Sequence, residues 1–195
     1  MSTKQSTAGR ATAEKLRSAE PIVTVHLPDV RADAGLGSST GRAVAAVLAA
    51  ARVAVGALWV NEALLKWHAG FGQADILLVV HSTAQNPRVP GFYKFFTAHA
   101  LGGVPEVFGF GVPLIEFGVG IALILGILTL PAALASVAEL CNYWLADQLI
   151  TQYPIMLALS ALVAAFAPTG SRYSLTTLIE HRRGHAIPPG LRRWL

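Results

Sequence analysis

Between Phe95 and Ser171 the chain has no lysine and no arginine, yet Glu116 and Glu139 lie inside its most apolar runs. A cation-free stretch of this length and hydropathy belongs in a lipid bilayer. A carboxylate near the bilayer centre, however, costs at least about 2.5–3.5 kcal/mol when ionised. It persists only with a cation, a proton or a water-filled cavity beside it. The stretch is therefore more than an anchor, and the two carboxylates pose the functional question.

Composition supports the membrane reading. Of 195 residues, 53% are hydrophobic and 13% are charged, against roughly 25% charged in soluble domains, and the mean hydropathy is +0.52. The net charge of +4 sits in two tails. Lys4, Arg10, Lys15, Arg17, Arg31 and Arg42 precede the first apolar run, and Arg172, Arg182, Arg183, Arg192 and Arg193 follow the last. No basic and aromatic residues interleave as in a base-stacking groove, so a nucleic-acid partner is not expected. The one cysteine, Cys141, excludes an internal disulfide, a vicinal dithiol and a cysteine-ligated iron–sulfur cluster held by one chain. Cys141 itself reads as a small buried hydrophobe.

The expected fold is all-α, a four-helix transmembrane bundle with both termini cytoplasmic. Residues 1–42, rich in Ser, Thr, Ala and charge and broken by Pro21 and Pro28, read as a disordered cytoplasmic tail. The first apolar run is longer than a signal-peptide core and reads as a signal anchor that stays. It spans about Val44 to Trp67. Arg52, Gly56, Trp59, Ala63 and Lys66 recur along it at helical spacing, a polar stripe turned inward, with Val and Ala left for lipid. Residues 68–103 read as a long external connection: Ile76–Val80 is too short to cross, and Asn86-Pro87 and Val89-Pro90 are turn signals. Within it, Gly91–Leu101 resembles an amphipathic piece with its aromatic rings at headgroup level.

A second span, Pro105 to Leu128, puts Gly109, Pro113, Glu116 and Gly120 on one face, with Gly118, Ala122 and Gly126 as a separate ridge for close helix packing. A third, Pro131 to about Leu149, aligns Ala132, Ala135, Glu139, Asn142 and Tyr143. The fourth, Tyr153 to Ala167, is nearly featureless, and 180–195 is a basic cytoplasmic tail. Basic tails on either side of an even number of spans place both termini inside.

Two polar constellations result. The intramembrane pocket holds Arg52, Glu116, Glu139 and Asn142. Arg52 is expected to pair with one glutamate, leaving the other protonated or facing water. The group reads either as a device handling protons at a quinone-sized cavity, or binding an apolar ligand with a polar head, or as an ion pair fixing the bundle's register. The outer mouth holds Glu62, Lys66 and Glu106 beside Trp67, His68, His81 and His99. Those histidines lack metal-ligand spacing, so they read as solvated and no metal is expected. No histidine lies within a span to ligate a haem. Tyr143 and Trp144 read as an outer aromatic belt. Nucleotide-binding and hydrolase motifs are absent from the sequence.

Three segments carry a resemblance. Ala51-Arg52-Val53-Ala54-Val55-Gly56 leading to Lys66, Glu116 followed by Gly118, Gly120 and Leu123-Ile124-Leu125-Gly126, and Gly170-Ser171-Arg172-Tyr173-Ser174-Leu175 resemble, in order, motifs of the DoxX family. Asn86-Pro87 with Gly91-Phe92 is similar to its longer, DoxD-like members. The resemblance covers Arg42 to Ile179, within a DoxX-like domain of 43–179. It implies a multi-pass protein of the cell membrane, and some relatives serve as a subunit of thiosulfate:quinone oxidoreductase. Arg52, Lys66, Glu116 and Arg172 match family positions. Thr176 stands where the family often has Asp, and Glu62 where small residues are common. The function expected first is thus a membrane subunit of a quinone-linked redox system. Its electrons come from a partner redox subunit or directly from substrate, and membrane quinone is the candidate cofactor. The second is a non-catalytic membrane scaffold or anchor whose basic tails recruit a partner protein or anionic lipid. Either is compatible with a homo-oligomer; transport is disfavoured because no inverted repeat is evident.

Overall fold

The computed structural model describes residues 39–148, 150–183 and 194. The expectations for the N-terminal tail up to 38, and for most of the tail after 183, fall outside these residues. Among the described residues all regular structure is helical. Helix α1 (Ser39–His68) is followed by α2 (Gln73–Gln85) and α3 (Gly91–Phe96), which runs into a π-helical turn, Thr97–Leu101. Helices α4 (Pro105–Leu125), α5 (Thr129–Leu145) and α6 (Tyr153–Ala165) follow. The short α7 (Ala167–Gly170), a 3₁₀ turn (Ser171–Tyr173) and α8 (Leu175–Arg183) complete the helices among the described residues.

Two helices, α1 and α4, are long and apolar enough to cross a membrane, with mean hydropathy 2.1 over their best windows. A third crossing is made if α6 and the segment after it count as one span, bent by 90°. That bend has a local cause. Pro168 has no N–H to continue a helical ladder and disfavours helical geometry in the residue before it. Helix α5, with 17 residues, is about 25 Å long at ~1.5 Å per residue.

The chain's own punctuation sets these limits. Pro105 starts α4, where a missing N–H costs nothing, with Glu106 in the first turn facing the positive end of the helix dipole. Gly126 ends it in the left-handed conformation (φ 71°), its N–H returning to Ala122 O at 2.9 Å. Leu128 is also left-handed (φ 51°), so three residues reverse the chain from α4 into α5. In α2, the Asp75 carboxylate accepts the Gly72 N–H at 2.9 Å and closes the start of the helix.

One apolar core draws on α1 (Val55, Trp59), α4 (Val119, Leu123), α5 (Ala132, Ala133, Leu140) and α6 (Met156, Val163). Inside it, Trp59 Nε1 donates to Ser136 Oγ at 2.6 Å, which lies 2.7 Å from Ser160 Oγ. A fully buried indole and two hydroxyls thus satisfy one another. The fourth apolar segment is therefore not featureless. Ser160 is its polar link to α5.

Helix α1 runs antiparallel along α4, in closest approach where Gly56 meets Gly120. A Cβ on Gly56 would lie 2.7 Å from Gly120 O, and one on Gly120 would lie 2.8 Å from Gly56 O. The ridge expected for that role is elsewhere: nothing lies within 4 Å of a Cβ on Gly118, and Gly126 is a helix terminator. The stripe on α1 faces inward as expected, with Arg52, Gly56, Trp59, Glu62 and Ala63 buried. On α5 the buried face is Thr129, Ala132, Ala133, Ser136 and Leu140, and Ala135 is exposed. Cys141 is exposed rather than buried, because it lies about 100° around α5 from Leu140.

The connection between α1 and α4 is more ordered than turn signals imply. Helix α2 abuts α4 at Gly109, where a Cβ would lie 2.7 Å from Gln73 N. Thr83 and Thr97 are buried against each other, 3.0 Å apart, which ties α2 to the π-helical turn. Tyr93 packs with Val89 and Ala146, while Phe92 and Phe95 project outward. The connection folds back as a roof.

Candidate functional site

Glu116 is buried without exposure, on the face of α4 that also carries Gly109, Pro113 and Gly120. Small residues at those positions leave room for a long cation. Lys66 supplies it from the last turn of α1, its Nζ 2.6 Å from Glu116 Oε1. Tyr143 of α5 donates its hydroxyl to the same oxygen at 2.5 Å. Lys66 Nζ is also 3.6 Å from Glu62 Oε2, one turn earlier on α1. Glu62 accepts from the Gln152 amide and, at 3.4 Å, from the Tyr153 hydroxyl. The rings of Tyr143 and Tyr153 stack at 5.1 Å, and Lys66 Nζ lies 5.4 Å from the Tyr143 centroid. One ammonium therefore serves two buried carboxylates, and each also accepts from a phenol.

Glu139 stands one turn before Tyr143 on α5. Its Oε2 is buried and has no hydrogen-bond partner, and the same is true of Glu116 Oε2. Glu139 lines a cavity of about 330 Å³ with Lys66, Tyr93, Asn142, Tyr143, Gln148 and Tyr153. Apolar walls come from Phe71, Ile76, Val79, Leu101, Val112, Ala146 and Ile150. The roof closes onto it through Tyr93, whose hydroxyl donates to Asn142 Oδ1 at 2.7 Å. Burial pushes that hydroxyl up to about 12, so it keeps its proton at neutral pH. Asp147, held in the left-handed conformation (φ 55°), accepts from Asn86 at 2.8 Å and pairs with the largely exposed Arg88 at 3.2 Å.

The two constellations expected from sequence are thus rearranged. Glu62 and Lys66, assigned to an outer mouth, join Glu116 in one cluster, and Glu139 and Asn142 line the adjoining cavity. Glu106 is exposed on the first turn of α4, ten residues (about 15 Å of helix) from Glu116.

Arg52 does not pair with a glutamate. Buried to 1% exposure, it donates to Leu123 O and to Ile124 O (3.2 Å) at the end of α4, and to Tyr173 O (2.8 Å). The register explains this. With Gly56 against Gly120, one turn back along α1 brings Arg52 to the C-terminus of α4, whereas Glu116 lies beyond Gly120 in the other direction. The last carbonyls of a helix lack intrahelical partners and carry partial negative charge. Those carbonyls take the place of a carboxylate as acceptors for the guanidinium. Thr176 donates to Gly126 O at 3.0 Å in the same corner.

Tyr143 points inward to Glu116, while its neighbour Trp144 faces out. Its i, i+4 spacing from Glu139 was the available signal. Tyr93, Gln152 and Tyr153 carried no such mark, since each reaches the site from a loop or a helix end. Each histidine outside the tails makes a local contact: His68 with Leu64 O, His81 with Gln85, and His99 stacked on Phe95. Among the described residues, no three His, Cys, Asp or Glu side chains gather as a metal set.

The DoxX family model matches residues 47–146. The chain belongs to the DoxX family. The matched DoxX segment contains Arg52, Glu62, Lys66, Glu116, Glu139, Asn142 and Tyr143. It is shorter than the resemblance read from sequence, and the Gly170–Leu175 motif lies outside it. No curated protein and no solved structure matches the chain.

Proposed function

We propose that this DoxX protein is a subunit of a quinone-linked redox system in the cell membrane, and that the cavity beside Glu139 receives a quinone head group. One observation carries the reading: the Glu139 side chain on the wall of a mainly aromatic and aliphatic cavity, with Lys66, Asn142 and Gln148 as its other non-aromatic polar groups. A volume of about 330 Å³ falls at the small end of small-molecule pockets, roughly 300–1,000 Å³. That suits a substituted ring, with its tail leaving between helices. In the proposed arrangement α1, α4, α5 and α6 cross the bilayer, residues 68–103 roof the cavity on the outer side, and both tails are cytoplasmic. Glu139 and Asn142 contact the head, Lys66 and Tyr143 hold Glu116 beside it, and a partner subunit supplies electrons.

The test is binding. The full chain, purified in mild detergent, is expected to retain quinone extractable by organic solvent. In nanodiscs it should bind decylbenzoquinone, with weaker binding in Glu139→Gln. A folded protein that neither retains nor binds quinone overturns the reading. The alternative, a non-catalytic scaffold, rests on the Arg52 corner, which fixes the C-terminal segment firmly to the helices. It is supported if a copurifying protein is lost on deletion of the residues after Ile179 while quinone binding is absent throughout.

A further inference from the structure

Helix α8 has its polarity reversed. At about 100° per residue, Leu175, Leu178, Ile179 and Arg182 share one side of it, while Thr176, Thr177 and Glu180 share the other. The threonine side is tied to the protein. Thr176 donates to Gly126 O at 3.0 Å, at the end of α4, and Thr177 donates to Ser171 O at 2.7 Å. The leucine side faces outward, with Leu178 51% and Ile179 40% exposed. A surface helix of a water-soluble protein has the opposite arrangement. The exposed apolar surface also continues beyond α8. Tyr173 precedes the helix, and Leu125 and Leu128 stand on either side of the Gly126 that Thr176 reaches. Arginines border this surface: Arg172 and Arg182 are exposed, and Arg183, Arg192 and Arg193 follow in the sequence.

Outward-facing apolar side chains with cations beside them suit a helix seated between lipid headgroups and acyl chains. There the stem of an arginine lies along apolar surface while its guanidinium reaches the phosphates. We infer that α8 is an interfacial helix that docks on an anionic phospholipid surface. Leu178 and Ile179 enter the acyl boundary, and Arg172 and Arg182 meet the phosphates. The bonds from Thr176 to Gly126 O and from Arg52 to Tyr173 O hold this segment to the helices, so it serves as a fixed foot on the membrane surface. The inference rests on the cytoplasmic placement of this end proposed above, where anionic lipid is met, and not on what fills the cavity.

Fluorescence quenching in nanodiscs of mixed phosphatidylcholine and phosphatidylglycerol tests this. The full chain carries Leu178→Cys with a polarity-sensitive label, in a Cys141→Ser background because Cys141 is itself exposed. The quenchers are iodide in the water and a nitroxide on the upper acyl chain of one lipid or the other. The label is expected to be quenched by lipid nitroxide and shielded from iodide. Quenching should show phosphatidylglycerol enriched beside α8 at least about fivefold over phosphatidylcholine, the worth of one arginine near a charged membrane surface. Arg172→Gln with Arg182→Gln should reduce the enrichment severalfold, as should high salt. Quenching by iodide without quenching by nitroxide overturns the inference. Equal quenching by the two lipids overturns anionic lipid as the partner. Shielding from both quenchers means that protein covers the face, and overturns lipid as its occupant. Ile179→Cys gives the same reading should Leu178→Cys not fold. Nanodiscs offer both membrane faces alike, so a failure here leaves the sidedness of the chain and the quinone reading standing.

Discussion

Arg52 shows what a single buried charge can do without an opposite charge. Its guanidinium meets carbonyls of α4 and of Tyr173, so it joins two segments separated by the whole of α5 and α6. Hydrogen bonds to a charged group are worth about 1.5–3 kcal/mol each, and the bond to the Leu123 carbonyl is buried. Arg52→Gln is therefore expected to destabilise the protein by about 3 kcal/mol. Arg52→Lys should restore only part of that, because a compact ammonium cannot reproduce the planar fork that reaches both segments. Thermal unfolding in detergent, with limited proteolysis around Tyr173, reads both effects. Quinone binding by the folded variants should be unchanged, since Arg52 is not on the cavity wall. An Arg52→Gln protein that melts with the native one would show that the corner contributes nothing. The arginine's inward face and burial could be read from its spacing along α1. Its partners could not, because backbone carbonyls at a helix end leave no trace in composition.

At the level of helices, the α1–α4 interface depends on two glycines that touch and is indifferent to one that does not. Adding a methyl at Gly56 forces it against Gly120 O and Ile124, a form of overpacking that costs about 1–3 kcal/mol. Gly118 faces open space, and alanine is the better helix former by roughly 1 kcal/mol. Gly56→Ala is thus expected to lower the unfolding midpoint, whereas Gly118→Ala leaves it unchanged or raises it. Equal effects from the two would mean that the close approach does not set the interface. The pair also marks what could be read in advance. Helix positions near Ser39–His68, Pro105–Leu125 and Tyr153–Ala165 follow from hydropathy, Pro and Gly alone, and the inward faces of α1 and α4 follow from spacing. Register between helices does not, since sequence shows several small residues and not which pair meets. The register takes Arg52 away from both glutamates and gives Glu116 to Lys66. It also merges two constellations into one. Helix α2 escaped notice for a related reason: its burial rests on Ile76 and Thr83, too few positions to make a period.

For the whole molecule, the contacts between connections bear on how the chain threads the membrane. Asp147, after α5, bonds to Asn86 and Arg88 of the roof, so the α5–α6 connection lies at the same end as residues 73–101. Arg52 and Thr176 bring the segment after α6 to the end of α4. The α2–α3 roof and the α5–α6 connection thus share one end, and the α4–α5 turn and the C-terminal segment share the other. Such alternation is what four crossings produce, even though α5 is short and α6 leads into a sharp bend. A hairpin of α5 and α6 entering and leaving the bilayer from one side would instead bury the α5–α6 connection. Single cysteines in a Cys141→Ser background separate the two, since Ser82, Thr151 and Arg182 are all exposed. A membrane-impermeant maleimide applied to intact cells should label Ser82→Cys and Thr151→Cys. Arg182→Cys should react only after permeabilisation, in keeping with basic tails held inside. Protection of Thr151→Cys from both sides, with Ser82→Cys still labelled, would replace the four crossings by two and a re-entrant pair. It would also move the cavity's floor, α5 and the start of α6, into a segment that never reaches the outer surface.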